Sequence, residues 1–256
     1  MSESYHWWDF LPRLQNLYKN DQFSAVDILG NGQFCSAKTP LSIKKNISAL
    51  QNQINFEGRK IIIGFSLGGI LALEWARNHP EEVEAIILIN CSSRDSAFYK
   101  RLKLSAIYNI IKMGLKTNLS VREQNILQMT TNGLDSNQLK EIASDWGNRS
   151  QQFPVKSINF FRQLVLAGFM KKNNQPTVPT LILCSEKDKV VSSDCSKTIA
   201  KKWNCPVMTH PTAGHDLTLE DPDWVIDQIN QFITNLKLSQ IPINNRSNSG
   251  HDFMHP

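Results

Sequence analysis

The stretch "IIIGFSLGGILALEW", residues 61–75, joins an uninterrupted apolar run to a helical pattern through one short glycine-rich turn. Ser66 lies at the corner between Gly64 and Gly68, which is the pattern G-x-S-x-G. A strand that turns abruptly into a helix forces its corner residue into a strained conformation, and neighbouring glycines remove the clashes that larger side chains would make. The pattern predicts a serine hydroxyl held out at the positive end of a helix dipole.

The same five residues also have a purely structural interpretation, in which glycines let a helix pack tightly on a sheet. The flanking sequence favours the nucleophile turn, because residues 61–63 supply a buried strand before it and residues 67–78 supply a helix after it. The backbone amide of Leu67 would then lie beside the serine and could donate to an oxyanion.

Apolar runs alternate with helical patterns along most of the chain. The expected strands are residues 24–30, 59–65, 83–90, 180–186 and 206–211, and the expected helices are residues 43–53, 67–78, 193–203 and 224–236. Most of the apolar runs are uninterrupted, as in parallel strands that are covered on both faces. Strand and helix in alternation predict an α/β fold with a mainly parallel sheet and flanking helices.

This rhythm stops between residues 93 and 173, where the chain is helical and polar without a strand-like run. We therefore expect an inserted helical cap over 93–173, between a first part of the core (1–92) and a second part (174–236). The last residues, 237–256, have few apolar side chains and many turn formers, which predicts a disordered tail.

The composition excludes several classes of protein. The chain has 28 Lys and Arg against 23 Asp and Glu, a formal net charge of +5, but neither a long basic run nor a nucleic-acid-binding motif. It lacks a signal peptide and a segment of ~18 apolar residues, so we expect a cytoplasmic protein with reduced cysteines and no stable membrane association. A basic amphipathic helix at 101–116 that touches a membrane is the weaker alternative. The oligomeric state stays open.

A serine hydroxyl needs a base to remove its proton, and His215 is the candidate. It lies in "TAGHDLTLEDP" (212–222), a small-residue loop that follows the last expected strand and can carry the imidazole back over the strand ends. His79 is better explained as a helix cap, and His210 falls within or just after a strand. The other histidines lie near the ends of the chain.

The imidazole in turn needs a carboxylate that fixes its tautomer. Asp188 follows the buried run of "LILCSEKDKVVS" (181–192) at the point where a strand-end loop can reach His215. Asp95, which follows the preceding strand, is the alternative acid. Glu186 is interpreted as a surface charge.

With Ser66, Asp188 and His215 in this order, the sequence resembles the α/β-hydrolase fold family, in the branch with an esterase-like core and a helical cap. Further supporting stretches are residues 26–34, 64–90, 179–191 and 212–233, although Leu29 replaces the usual proline of the first turn. The resemblance is to small bacterial carboxylesterases. It implies a serine hydrolase that cleaves a small-molecule carboxylic ester or thioester, with Leu67 in the oxyanion hole and no metal or organic cofactor.

One departure from the family concerns the beginning of the sequence. Family members carry earlier strands and a His-Gly-like loop that supplies the second oxyanion amide, and here that loop would fall just upstream of Met1, since Trp7 and Leu14 fit the helix that follows it. Either the natural chain is longer, in which case the longer form should be more stable and more active, or the chain is genuinely shortened. A shortened chain could be a non-catalytic binding protein.

Substrate choice would depend on apolar residues near the serine and in the cap. Phe65, Ile107, Ile111 and Phe161 are the candidates for an acyl pocket, although the last three could equally form the core of the cap. Amide hydrolysis and carbon–carbon bond cleavage use similar triads and stay open.

Overall fold

A computed structural model describes residues 3–114, 118–168 and 174–240. The helices of this part of the chain are α1 (Phe10–Leu17), α2 (Ile43–Gln51), α3 (Leu67–Asn78), α4 (Phe98–Arg101), α5 (Leu104–Gly114), α6 (Leu119–Thr130), α7 (Ser136–Gln152), α8 (Ser157–Gly168), α9 (Ser193–Trp203), α10 (Leu217–Glu220) and α11 (Pro222–Gln240). The strands are β1 (Lys60–Phe65), β2 (Val83–Ile89), β3 (Thr180–Ser185) and β4 (Val207–His210). None of the described helices combines the length and the apolar character that a membrane crossing requires.

The described strands form one parallel sheet in the order β1-β2-β3-β4. The central strands β2 and β3 are buried almost throughout, because apolar side chains on both faces meet helices. One face packs against α2, α3, α8 and α9, and the other packs against α1, α10 and α11. The predicted parallel α/β sheet with flanking helices is therefore confirmed.

The strand predicted at 24–30 is wrong, since residues 24–28 join no ladder and residues 29–30 form a turn. The side chain of Gln53 takes the place of a neighbouring strand: it accepts from the Asp27 amide (2.8 Å) and donates to the Asp27 carbonyl (2.8 Å). The buried Asp27 carboxylate in turn accepts from the amides of Ser4 and Gln33. These contacts satisfy backbone groups that a ladder would otherwise have to pair, and β1 has a described partner strand on one side only.

The helices α4 to α8, called the inserted helices below, occupy residues 98–168 between β2 and β3. Their position agrees with the expected insertion, and the domain boundaries at 92/93 and 173/174 stay a prediction. Residues 237–240 of the predicted tail are instead the last turn of α11. Residues 241–256 lie outside the described part of the chain.

The turn between β1 and α3 depends on close backbone contact. A Cβ atom added to Gly64 would lie 2.5 Å from the Gly69 Cα and 2.7 Å from the Gly68 carbonyl oxygen. A Cβ atom added to Gly69 would lie 2.0 Å from the Sγ of Cys91, on the loop that follows β2. The helix α3 can therefore start this close to β1 and to the loop after β2 only because residues 64 and 69 have no side chain.

We expect Gly64→Ala to lower the free energy of unfolding by about 3 kcal/mol, because its new methyl group meets backbone atoms that cannot rotate away. Gly68→Ala is the matched control, since the added Cβ would meet no atom within 4 Å. The control should change stability by no more than about 1 kcal/mol, in the stabilising direction expected for alanine in a helix. Urea unfolding followed by circular dichroism measures both, and equal losses would contradict the packing argument.

Candidate active site

Ser66 occupies the corner between β1 and α3 in a strained backbone conformation, with φ 50° and ψ −116°. Its amide still donates to the carbonyl of Ile89 on β2 (2.9 Å), so the serine is anchored to the sheet at the point where the helix begins. Leu67 is the first residue of α3, and the amides of a first helical turn have no acceptor within the helix. The turn therefore presents a hydroxyl and a backbone donor side by side.

His215 approaches Ser66 from the loop that follows β4. Its Nε2 lies 3.2 Å from the Ser66 Oγ, and its Nδ1 lies 2.7 Å from the Oδ2 of Asp188. A neutral imidazole that keeps its proton on Nδ1 for the carboxylate has a lone pair on Nε2 for the serine. The distances place all three side chains in one hydrogen-bonded chain.

Asp188 follows β3 and is 2% exposed. Its other oxygen, Oδ1, accepts from the amides of Val190 (2.7 Å) and Val191 (2.9 Å). These amides fix the rotamer of the carboxylate and offset the cost of burying its charge. One oxygen is therefore held by the backbone while the other is directed at His215.

The environment of His215 acts on its pKa in opposite directions. Burial of the ring lowers the pKa, since it disfavours the charged form, whereas the charge of Asp188 and its hydrogen bond raise it. The net effect raises the pKa above the ordinary value of 6.5. The carboxylate of Asp188 therefore favours the protonated imidazole that forms when His215 accepts a proton.

Three residues that position the histidine loop were not identified from the sequence: Asn90, His210 and Glu220. Asn90 follows β2 with φ 47° and donates to the carbonyl of His215 (2.6 Å) while it accepts from the amide of Ser185 (2.8 Å). The Nδ1 of His210 accepts from the amide of Ala213 (2.9 Å). An asparagine directly after a buried strand tolerates positive φ, and this signal was available in the sequence.

Glu220 and the end of α6 support the same loop. The Glu220 carboxylate accepts from the amide of Gly214, next to His215, and from the amide of Asn132 (2.7 Å). The carbonyl of Thr130 accepts from the amide of Asp216 (2.9 Å). The inserted helices therefore help to hold the loop that carries His215.

The alternative acid and the predicted surface charge have other partners. The Asp95 carboxylate contacts Lys202 Nζ (2.9 Å) and Ser93 Oγ (3.1 Å), while Asp188 occupies the position beside His215. Glu186 pairs with Lys197 on an exposed surface.

The predicted acyl-pocket residues fall in different surroundings. The ring of Phe65 lies 4.9 Å from the imidazole of His215, so this side chain borders the site. Ile107 is half-buried on α5, and Phe161 is 61% exposed on α8. The side chain of Ile111 lies outside the described part of the structure. Their role in substrate binding stays a prediction.

Within residues 3–114, 118–168 and 174–240, one group of side chains has the spacing of metal ligands: His79, Glu81 and Glu82. The group lies at the opposite end of α3 from Ser66. Glu82 already accepts from the Nε1 of Trp75 (2.8 Å) and from the Nε2 of Gln51 (3.0 Å). The position of the Glu82 carboxylate is therefore explained by its hydrogen bonds to Trp75 and Gln51.

Comparison with known proteins agrees with this arrangement. The family model described as the alpha/beta hydrolase fold matches residues 4–222. The alpha/beta hydrolase domain-containing protein VTE7 of Arabidopsis thaliana is 27% identical over 180 residues, which is 67% of this chain and about half (52%) of that relative. A Caulobacter sp. (strain K31) protein, named as a candidate carbamate hydrolase RutD, is 22% identical over 83% of this chain and 80% of its own.

Among solved structures, the meta-cleavage product hydrolase from Pseudomonas fluorescens IP01 superimposes with a TM-score of 0.71. It shares 18% sequence identity over 91% of this chain and 86% of its own, which at this identity shows the fold alone. The resemblance inferred from the sequence is confirmed at the level of the fold and the family.

We expect the imidazole of His215 to titrate above pH 6.5 in the folded protein. Asp188→Asn should move this midpoint below 6.5, because burial continues to lower the pKa while the charge of Asp188, which raises it more than that of Asp216, is gone. Nitrogen-15 NMR of the imidazole rings measures both midpoints.

The same shift has a consequence for stability. Because the pKa of His215 is raised on folding, its stabilising contribution is fully present below about pH 6.5 and is lost as the pH rises through the folded-state pKa. Asp188→Asn should reverse this dependence, because a folded-state pKa below 6.5 makes the protein lose stability as the pH falls. A wild-type midpoint at or below 6.5 would contradict the interpretation.

Proposed function

Because this chain belongs to the α/β-hydrolase fold family, we propose that it is a serine hydrolase that cleaves a carboxylic ester or thioester through an acyl-enzyme on Ser66. The observation that carries the proposal is the continuous contact from Ser66 Oγ to His215 Nε2 (3.2 Å) and from His215 Nδ1 to Asp188 Oδ2 (2.7 Å). A serine with this support has a base within reach of its proton, and the base has a fixed orientation.

In the acylation step, His215 Nε2 accepts the Ser66 proton while Oγ attacks the carbonyl carbon of the substrate. The carbonyl electrons move to the oxygen, and the Leu67 amide donates a hydrogen bond to the oxyanion. When the tetrahedral intermediate collapses, the bond to the leaving group breaks and His215 gives its proton to the alkoxide or thiolate. The imidazolium is transient, and the Asp188 carboxylate stabilises its charge.

In the deacylation step, water takes the place of the leaving group. His215 removes a proton from the water, the hydroxide oxygen attacks the acyl carbon, and the ester bond to Ser66 breaks as the proton returns to Oγ. The products are a carboxylic acid and an alcohol or thiol. These groups act without a redox or metal-dependent step.

Labelling with a fluorophosphonate probe tests whether the serine is activated. The probe should attach to the wild-type protein and fail to attach to Ser66→Ala at the same concentration. Asp95→Asn is the matched control, because it removes the alternative carboxylate and should leave labelling intact. If the folded wild-type protein stays unlabelled, a non-catalytic binding protein becomes the better interpretation.

Kinetics on p-nitrophenyl esters of graded acyl length tests the roles of the residues. We expect Ser66→Ala and His215→Ala each to lower kcat at least about a thousandfold, and the double variant to lose no more than the single ones, because the residues act as a unit. Asp188→Asn should lower kcat by about 10⁴-fold because it stabilises the wrong tautomer. A near-normal rate in any of the three variants would contradict that residue's assignment.

The same assay addresses the substrate. Thioester, carbamate and meta-cleavage product analogues belong beside the esters, since two of the proteins similar to this chain are named for the last two classes. The ester or thioester should give the highest kcat/KM. A higher kcat/KM for a carbamate or a meta-cleavage product analogue would leave Ser66 as the proposed nucleophile but would change the proposed substrate class.

A further inference from the structure

The inserted helices expose an unusual number of large apolar side chains. Seven of them, here called the outer apolar set, are between 39% and 70% exposed: Phe98, Tyr99, Leu104, Tyr108, Ile158, Phe161 and Val165. They belong to α4, α5 and α8. Single exposed apolar residues are normal on a protein surface, whereas a concentration of them on neighbouring helices marks an interaction surface.

On α8 the exposed residues follow the helical period. Ile158, Phe161 and Val165 are three and four positions apart, so they lie on one side of the helix. Asn159 and Gln163 are buried on the inner side. Because the inner side is already occupied, the outer residues are not turned toward the core of the protein.

The helix α5 shows the same division. Leu104 and Tyr108 are four positions apart and are 70% and 66% exposed, while Ala106 is buried. The helices α4 and α8 are neighbours, since Arg101 on α4 donates to the carbonyl of Ala167 on α8 (2.6 Å). The helix α5 begins three residues after Arg101. The outer apolar set is therefore carried by adjacent elements.

Charge is distributed just as unevenly. Residues 97–114 and 154–168, which contain α4, α5 and α8, carry six Lys and Arg and no Asp or Glu: Lys100, Arg101, Lys103, Lys112, Lys156 and Arg162. The whole chain has 28 Lys and Arg against 23 Asp and Glu. These two segments therefore account for the entire positive excess of the protein.

This combination restricts what can cover the outer apolar set. Lys100 pairs with Asp194 (2.8 Å), and Arg101, Lys103 and Arg162 donate to backbone carbonyls, whereas Lys112 and Lys156 are exposed. A second copy of the chain in a two-fold dimer would place these exposed lysines on both sides of the interface, which like-charge repulsion disfavours. An anionic lipid surface accepts both features, because aromatic and aliphatic side chains enter the boundary between headgroups and acyl chains while lysines contact the anionic headgroups.

We propose that α4, α5 and α8 form a docking surface for an anionic lipid bilayer. The proposal takes up the weaker alternative of a basic helix that touches a membrane, and it is compatible with the expectation of no stable membrane association. Exposure is the reason, because helical spacing in the sequence does not reveal which side of a helix is left uncovered. Docking of this kind is peripheral and reversible. It does not depend on the proposed hydrolase activity, because it rests on the exposure and charge of α4, α5 and α8 and not on the reaction.

Vesicle sedimentation tests the proposal with the 256-residue protein. The wild type should bind vesicles made from an equimolar mixture of phosphatidylcholine and phosphatidylglycerol. It should bind vesicles of pure phosphatidylcholine at least about tenfold more weakly. Leu104→Ser on α5 and Ile158→Ser on α8 should each weaken binding about tenfold. Lys112→Glu and Lys156→Glu should each weaken it at least about fivefold, and added salt should reduce the effect of the lysine variants.

Matched controls come from the other face of the sheet, at the end of α1. Leu17→Ser and Lys19→Glu make the same chemical changes at exposed positions and should leave vesicle binding unchanged. Circular dichroism and thermal melting show whether each variant folds. If a variant on α5 fails to fold, the matching variant at Ile158 or Lys156 decides the outcome, and the reverse holds for α8 and the segment before it.

Three results would overturn the proposal. The first is a wild-type protein that binds neither kind of vesicle. The second is binding that the Leu17 and Lys19 controls reduce as much as the test variants do. The third is a wild-type dimer in sedimentation velocity that Ile158→Ser dissociates, which would assign the surface to self-association.

Discussion

The hydrogen bond between the carboxylate of Asp188 and the imidazole of His215 is the interaction on which the rest of the site depends. The two residues are 2% and 6% exposed, so little water is available to replace a lost contact. A buried carboxylate is costly unless its oxygens are bonded. The loops after β3 and β4 therefore have to be held at hydrogen-bonding distance from each other.

Asn132, in the turn after α6, has a direct part in holding these loops together. Its side-chain amide donates to the carbonyl of Lys187 (3.2 Å), next to Asp188, and to the carbonyl of Thr212 (3.1 Å), three residues before His215. Asn90 gives a similar connection from the sheet side. The geometry of Asp188 and His215 is thus set by the core and by the inserted helices together.

The predictions that succeeded from the sequence are those determined by local contacts. The turn at Ser66 needs glycines within a few residues, and a strand such as β2 needs an uninterrupted apolar run, so both leave a readable pattern. The strand predicted at 24–30 failed because Gln53, 26 residues from Asp27, satisfies the backbone in place of a ladder. Apolar residues at helical spacing can form either a buried face or an exposed face of a helix. For Phe161, only the packing of α8 shows that the face is exposed.

The inserted helices contact the candidate active site and also carry the outer apolar set, so these two features belong to the same part of the protein. The carbonyl of Thr130 at the end of α6 accepts from the amide of Asp216, and the following Asn132 contacts the loops that carry Asp188 and His215. The helices α4, α5 and α8 carry the outer apolar set. Lys103, between α4 and α5, donates to the carbonyl of Asp188. The segment that carries part of the outer apolar set therefore also contacts the loop that holds Asp188.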